Sequence, residues 1–354
     1  MARAQAVIVA LTANTSLGDS RTACAAARAG IVRPVPTDGM ALEPDGEEVP
    51  VVGHAVPFVD GFQGEARLLA LGVPALADLV EGAGFQEGEQ VGLCLALPDL
   101  AARASAVEAP PPPSVKLVER LVLLSRAPVP PSLRETFPAG HAGFGLAVQA
   151  ALELLGRRRA EACIVGAIDT HLDFLTLDAL AAQRRLKTAD QPVGVSPGEA
   201  AAFMLLASPE SARRRKATVL AELQGVGVAR EPRTGDDPPM GLGLASAIGE
   251  LVTATGPLPP GETWFVTDQN GETPRATDWG TCLQRLAGTY QGLLPAATWH
   301  PAASFGETGA ASGALAAQMA VTGFTRGYAP GRCAVIMSSS DDGQRTAVRI
   351  DRPR

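Results

Sequence analysis

A tight turn followed by a buried helix and a buried strand is predicted near the middle of the chain and limits the folds it can adopt. Residues 137–169 read FPAGHAGFGLAVQAALELLGRRRAEACIVGAID. The small-residue turn around His141 leads into an apolar run with helical spacing, which predicts a buried helix. Arginines 157–159 follow where a helix C-terminus favours cations, and the apolar run at 162–168 is typical of a buried strand. His141 is therefore presented at the positive end of a helix, among small residues that let another molecule approach closely.

This segment resembles the nucleophile elbow, the following helix and the VGG-D strand of the β-ketoacyl synthases, which have the thiolase-like fold. Counting back from Gly166 along that pattern, the family's catalytic cysteine falls on His141. The most specific match is residues 192–206, PVGVSPGEAAAFMLL, which are similar to the turn and strand that close the first half of the family's fold. The resemblance covers nearly the whole chain in architecture.

The resemblance implies an α/β protein with five layers, αβαβα, built from two pseudo-symmetric halves. The halves are expected at residues 1–210 and 217–354, with the basic cluster at 213–216 marking the boundary between them. Buried central helices are expected at 142–155 and 308–321. These segments are rich in alanine and glycine, as close packing at a crowded centre requires.

Two further family motifs carry catalytic histidines, and both differ here. Matched through Asp278, the first motif places Asn270 where the family has a histidine that helps to bind the thioester carbonyl and decarboxylate the extender. Residues 303–313, ASFGETGAASG, match the second motif, with Glu307 in the place of its histidine. The family's flexible glycine-rich loop corresponds to residues 337–344, MSSSDDGQ, which lack its gating phenylalanine.

The chemistry of these residue types argues against condensation. Claisen condensation needs a nucleophile that becomes a thioester, groups that stabilise an enolate, and donors for an oxyanion. The helix dipole activates a cysteine but keeps an imidazole neutral, so His141 is a weak replacement. An acyl-imidazole is labile to water, and a Glu307 carboxylate repels a developing enolate.

Two hypotheses about function follow. In the first, the chain is a non-condensing accessory protein: a homodimer, or a heterodimer with an active ketosynthase, that binds an acyl chain, an acyl-thioester or an acyl carrier protein. In the second, Glu307 orients His141 in a rebuilt site, which gives an acyltransferase or a thioester hydrolase. The first is favoured because loss of three catalytic residue types is simpler than reinvention, and fold alone does not imply activity. Its cleft is expected to be filled by side chains such as Phe144, Phe305 or Met337.

Both residues also have structural interpretations. His141 is equally typical of a neutral turn residue bonded to a neighbouring carbonyl, and Glu307 of a carboxylate near a helix start. The other histidines, His54, His171 and His300, lie outside these motifs and are interpreted as structural or surface residues.

The resemblance also predicts where a dimer would form. Family members dimerise through the strand ahead of the elbow, which is expected here within residues 117–127. Periodicity alone does not decide whether residues 117–125, LVERLVLLS, form a helix or a strand.

Composition excludes several other classes of protein. The net charge of −7 gives no electrostatic reason to bind nucleic acid or an anionic membrane. The five cysteines include no CxxC pair, the four histidines are scattered, and no GxGxxG motif follows a strand, so neither a metal nor another cofactor is expected. The apolar run near the N-terminus is short for a signal peptide and far short of a membrane span, which predicts a cytoplasmic protein.

Overall fold

The computed structural model describes residues 5–42, 47–103, 114–189, 191–232, 238–289 and 295–353, and these form thirteen strands and eleven α-helices. The strands are β1 (Ala6–Thr15), β2 (Gly18–Asp19), β3 (Val35–Leu42), β4 (Glu48–Gly53), β5 (Val91–Ala96), β6 (Arg134–Phe137), β7 (Ala162–Thr170), β8 (Glu199–Ala207), β9 (Ala221–Arg230), β10 (Thr263–Thr267), β11 (Thr298–Trp299), β12 (Cys333–Ser339) and β13 (Gln344–Asp351). The helices are α1 (Ser20–Arg28), α2 (Gly64–Ala83), α3 (Leu100–Arg103), α4 (Val115–Ser125), α5 (Gly143–Gly156), α6 (Phe174–Ala182), α7 (Pro209–Arg214), α8 (Leu242–Thr255), α9 (Thr273–Thr289), α10 (Ala302–Phe305) and α11 (Ala311–Arg326). Across the described ranges, no helix has the length and apolar character needed to span a membrane.

Apart from β2, which pairs with β1, the main sheet consists of two sets of five strands with the same order. The first set runs β6-β5-β7-β8-β1 and the second runs β11-β10-β12-β13-β9. In both sets the first two pairings are parallel and the last two are antiparallel. A short antiparallel pairing of β1 with β9 joins the sets. The strand order therefore repeats on either side of residues 210–217, although the proposed half boundaries themselves stay a prediction.

Helices α5 and α11 form the central layer, close to the expected ranges. Each packs against strands of both sets: α5 against β5, β7, β9 and β13, and α11 against β7, β8, β10 and β12. The packing is tight enough to require glycine. A Cβ built on Gly145 of α5 would lie 2.4 Å from the Thr346 Cβ, and one on Gly313 of α11 would lie 2.8 Å from the Phe144 ring. The small residues noted in the sequence are thus a condition of the central packing.

The remaining layers lie outside the two sets of strands. Helices α2 and α4 share an apolar cluster with β5, β7 and β8. Helices α8 and α9 share another with β10, β12 and β13. The order of layers is therefore helix, sheet, helix, sheet, helix, as the sequence predicts.

The segment at residues 192–206, the most specific match to the family, has a clear physical role. A Cβ on Gly198 would lie 2.1 Å from the Phe305 carbonyl oxygen, so only glycine fits there. The next residue, Glu199, is fully buried and bonds the Arg67 guanidinium at 2.6 Å and 2.9 Å. A buried ion pair of this kind is destabilising if either partner is removed.

The expected position of an interface strand within residues 117–127 is wrong. Residues 115–125 form α4, because Leu117 and Leu121 are one helical turn apart and are both buried, whereas Leu123 is 74% exposed. The strand immediately ahead of the elbow is β6, which lies at the edge of its set of strands.

We predict that Gly145→Ala lowers the free energy of unfolding by about 1–3 kcal/mol, because the added methyl group overpacks the centre against Thr346. Gly156→Ala at the end of the same helix is the matched control. Its Cβ would meet nothing within 4 Å, so the change should be neutral or stabilise by up to about 1 kcal/mol. Urea unfolding of both variants measures the difference, and equal effects would contradict the packing argument.

Candidate functional site

His141 is placed by a tight turn in front of the central helix α5. It lies in a single 3₁₀ turn, Gly140–Ala142. Gly140 has a φ of 55°, in the left-handed region that favours glycine. A Cβ on Gly143 would lie 2.9 Å from the Phe137 carbonyl oxygen, so this position also accepts only glycine. The local sequence therefore fixes the backbone of His141, whose side chain is buried between the two sets of strands.

The turn is held from the other side by Ser340, between β12 and β13. The Ser340 hydroxyl accepts a hydrogen bond from the Ala142 amide at 2.8 Å and donates one to the Ala139 carbonyl. A backbone amide at the start of a helix is the kind of donor that stabilises an oxyanion. Here that donor already has a partner within the protein.

Both ring nitrogens of His141 are engaged. The Arg275 guanidinium lies 3.1 Å from Nδ1, and Glu307 Oε1 lies 2.7 Å from Nε2. A guanidinium can only donate, so Nδ1 accepts and the ring proton is on Nε2, where it is donated to the carboxylate. Both ring nitrogens are occupied in this arrangement, so neither is left to attack a substrate or to take up a proton.

Glu307 is a buried anion with donors on both oxygens. Oε1 also accepts from the Gly309 amide at 2.7 Å, and Oε2 accepts from the Asn270 side-chain amide. Burial acts to raise the pKa of Glu307, but the hydrogen bond from His141 and the Arg275 charge outweigh it and hold the pKa well below its ordinary value. The carboxylate therefore stays ionised.

The three residues singled out by sequence are thus brought into one cluster. Glu307 is its centre, since it contacts His141 on one side and Asn270 on the other. Their assignment to the family's catalytic positions stays a prediction.

Charged residues surround this cluster. Arg275 also donates to Asp268 at 2.8 Å and to Asp341 at 3.3 Å. Arg185 donates to Glu272 at 2.6 Å and to Asp341 at 3.2 Å. Arg185 comes from the first half of the chain and its partners from the second, so these ion pairs connect the two halves across the site.

Sequence reasoning missed His171, which it interpreted as lying away from the site. His171 lines the same cavity as His141, and its Nδ1 has no hydrogen-bond partner in the described part of the chain. Burial, and then the Arg103 charge, hold the pKa of His171 well below its ordinary value. Arg103 is paired with Asp169 at 2.8 Å. Asp169 directly follows the apolar run at 162–168 in the sequence, but nothing near Arg103 indicates that the two residues pair.

The space left at the site is small. The cavity beside His141 measures about 30 Å³, which is the space of about one water molecule. Sites for small organic ligands measure roughly 300–1,000 Å³. The residues lining it include Arg103, His171, Arg185 and Asp341, whereas Phe144, Phe305 and Met337 belong to the apolar core. The expectation that side chains such as Phe144, Phe305 or Met337 fill the cleft is therefore wrong, because the described residues that line it are mostly polar or charged.

Comparison with solved structures identifies the fold. A chain of AntDE:AntF, a type II polyketide synthase acyl carrier protein in complex with its ketosynthase bound to the hexaketide, matches with a TM-score of 0.80 at 15% identity, over 99% of this chain and 100% of that one. The fold is that of the ketosynthases.

Two further structures have the same thiolase-like architecture. The ishigamide ketosynthase/chain length factor matches with a TM-score of 0.78 at 19% identity, over 100% of both chains. The ketosynthase from module 6 of the bacillaene synthase from Bacillus subtilis 168 matches with a TM-score of 0.78 at 13% identity, over 99% of this chain and 72% of that one. No protein-family model and no curated protein matches the sequence.

We predict that Asp341→Asn lowers the free energy of unfolding at neutral pH and that this difference from the wild type disappears in acid. Burial alone would raise the pKa of Asp341, but the Arg275 and Arg185 charges outweigh it and lower the pKa to about 2 from 3.8. Because the folded-state pKa is the lower one, the stabilisation is present above about pH 4 and is lost as the pH falls toward 2. Because this side chain is half-exposed and solvent screens its charge, we expect the variant to lose about 1 kcal/mol of stability at neutral pH.

Urea unfolding of the wild type and the variant between pH 3 and pH 7 measures this dependence. Asp342→Asn is the matched control, since its carboxylate lies 3.8 Å from Arg230 in an exposed pair. A destabilisation by Asp341→Asn that does not change with pH would contradict the ion-pair assignment.

Proposed function

We propose that this protein is a non-condensing relative of the β-ketoacyl synthases that serves as the partner subunit of an active ketosynthase. The observation that carries the proposal is the state of His141, whose two ring nitrogens are bound by Glu307 and Arg275 beside a cavity of about 30 Å³. A residue in that state cannot form an acyl intermediate without rearrangement of its neighbours.

The charges around His141 also support a non-condensing function. Condensation develops negative charge on an enolate and on an oxyanion. At this site a buried Glu307 carboxylate lies 2.7 Å from His141, and the Ala142 amide is bonded to Ser340. The carboxylate opposes negative charge beside His141, and the amide already has a partner in place of an oxyanion.

One observation favours the alternative, an acyltransferase or thioester hydrolase. The 2.7 Å contact between His141 and Glu307 is the carboxylate-imidazole pair that such a site needs. In a working pair, however, the second ring nitrogen faces a nucleophile or a water. Here Arg275 occupies that nitrogen, so the contact is better explained as a structural hydrogen bond.

We predict that the protein does not hydrolyse or transfer acyl groups from acyl-thioesters and that His141→Ala and Glu307→Gln leave this unchanged. A rebuilt site would instead give a slow activity that falls about a hundredfold or more in either variant. Product release from an acyl-thioester measures turnover, and intact mass measures acylation. A covalent adduct on wild-type His141 that is absent from His141→Ala would overturn the proposal.

The solved relatives suggest which partners to test. The ishigamide protein is a ketosynthase/chain length factor, and AntDE:AntF contains an acyl carrier protein in complex with its ketosynthase. By analogy we propose that this chain pairs with an active ketosynthase, or with a second copy of itself, and that a carrier protein is a further partner. The edge strand β6 and the exposed residues Leu123 and Leu124 of α4 are the surface we assign to the pairing.

We predict that the protein is a dimer at micromolar concentration, homomeric or with a ketosynthase, and that Leu123→Glu/Leu124→Glu makes it monomeric. Two charges placed in an apolar interface would have to be desolvated without partners. Light scattering measures the mass of each form. Met240→Glu, at an equally exposed apolar residue of the second half, is the control and should stay dimeric. A monomeric wild type that recovers no ketosynthase by pull-down would contradict the assignment.

A further inference from the structure

A long surface groove begins at Asn270, whose side-chain amide is bonded to Glu307 within the buried cluster. It consists of two concavities of about 790 Å³ and about 250 Å³, which meet at His300 and Ala303. Together they reach the size of sites that hold small organic ligands. The proposed pairing with a ketosynthase uses none of these residues.

The groove is open because its walls carry small residues where the two halves meet. Ala302 and Ala303 of α10 line it from the second half of the chain. Gly194 and Gly271 line it where two loops approach each other, and a Cβ on Gly271 would lie 2.6 Å from the Gly194 carbonyl oxygen. Larger side chains at these positions would fill the space or separate the loops.

The walls are apolar and exposed to solvent. Val32 and Val52 line the larger concavity and are 48% and 44% exposed. Ile31 and Val193, adjacent in sequence to lining residues, are 54% and 55% exposed. Val32 and Val52 are thus large aliphatic side chains left in water on the wall of the groove, which indicates a surface that binds something apolar.

The charges along the groove are of one sign. Lys187 lines the larger concavity and Arg28 the smaller, with His54 and His300 between apolar residues. None of the lining residues within the described ranges is Asp or Glu, although the whole chain has a net charge of −7. His54 is only 6% exposed, and its Nδ1 has no hydrogen-bond partner among the described residues. The groove is thus complementary to an anion.

The smaller concavity adds an aromatic wall. Trp299 and Tyr328 have ring centroids 6.0 Å apart, and the Arg28 guanidinium lies 5.4 Å from the centroid of the Tyr328 ring. Half-buried aromatic rings of this kind pack against flat ring systems.

We propose that this groove binds an elongated organic anion with an aromatic or fused-ring body. The body packs on Trp299, Tyr328 and the valines, and the anionic group lies near Lys187. Apolar contact supplies most of the affinity and the cation selects the charge, because a hydrogen bond to a charged group is stronger than one between neutral groups.

The probes are 8-anilinonaphthalene-1-sulfonate, which is an aromatic anion, and its neutral analogue N-phenyl-1-naphthylamine. We expect saturable fluorescence enhancement with one site per chain for both. Lys187→Glu should weaken binding of the sulfonate about tenfold or more and leave the neutral probe unchanged. Val52→Glu should weaken the binding of both probes, since it places a charge on the apolar wall. Lys216→Glu, the same change at an exposed lysine between the halves, is the control and should leave both affinities unchanged.

The proposal is overturned if the wild type binds neither probe, or if Val52→Glu leaves both affinities unchanged. It is overturned as well if Lys187→Glu changes the affinity for the sulfonate no more than the control Lys216→Glu does. It is also overturned if Lys187→Glu weakens the neutral probe as much as the anion. All three substitutions are at half-buried or exposed side chains. The titrations use the isolated protein without acyl-thioester or ketosynthase, so they succeed or fail independently of the proposed function.

Discussion

The structure depends on a backbone contact between the first half of the chain and the segment that carries Glu307. The Gly198 amide donates to the Glu307 carbonyl at 2.9 Å, and the Glu307 amide donates to the Ser196 carbonyl at 2.7 Å. Gly198 must be glycine because a Cβ would lie 2.1 Å from the Phe305 carbonyl oxygen. These two hydrogen bonds fix the backbone of Glu307 against the first half of the chain. The Glu307 side chain is therefore held at the boundary between the halves.

A carboxylate fixed in that position must be compensated, because a buried charge without partners is strongly destabilising. His141 from the first half and Asn270 from the second supply the donors, together with the Gly309 amide. Removing one partner of a buried charge costs roughly 3–5 kcal/mol. His141, Asn270 and Glu307 therefore form a mutually dependent structural unit, which agrees with the non-condensing function proposed for the protein.

The sequence predicts the fold well where the signal is local or where the family motif is strong. The buried strands, the central helices and the turn before α5 follow from apolar runs, small residues and glycines. Residues 117–125 are ambiguous in sequence because a short apolar run does not distinguish helix from strand until its burial pattern is known. The contents of the site were less predictable. Arg103 pairs with Asp169 across 66 residues, and Arg275 reaches His141 across 134, and neither contact leaves a local signal.

The closed site also limits any residual catalytic activity, because a substrate could reach His141 only in an open form of the cavity. Opening the cavity means separating Asp341 from Arg185 and Arg275 and breaking the two hydrogen bonds of Ser340. With about 1 kcal/mol for the two ion pairs of Asp341 together and about 1 kcal/mol for each hydrogen bond of Ser340, the open form is disfavoured by about 3 kcal/mol, which corresponds to roughly one molecule in 150. A substrate that needs the open form would bind about a hundredfold more weakly than its intrinsic affinity. Even a competent imidazole would therefore be hidden from acyl-thioesters, so restoring a nucleophile at position 141 alone does not restore condensation.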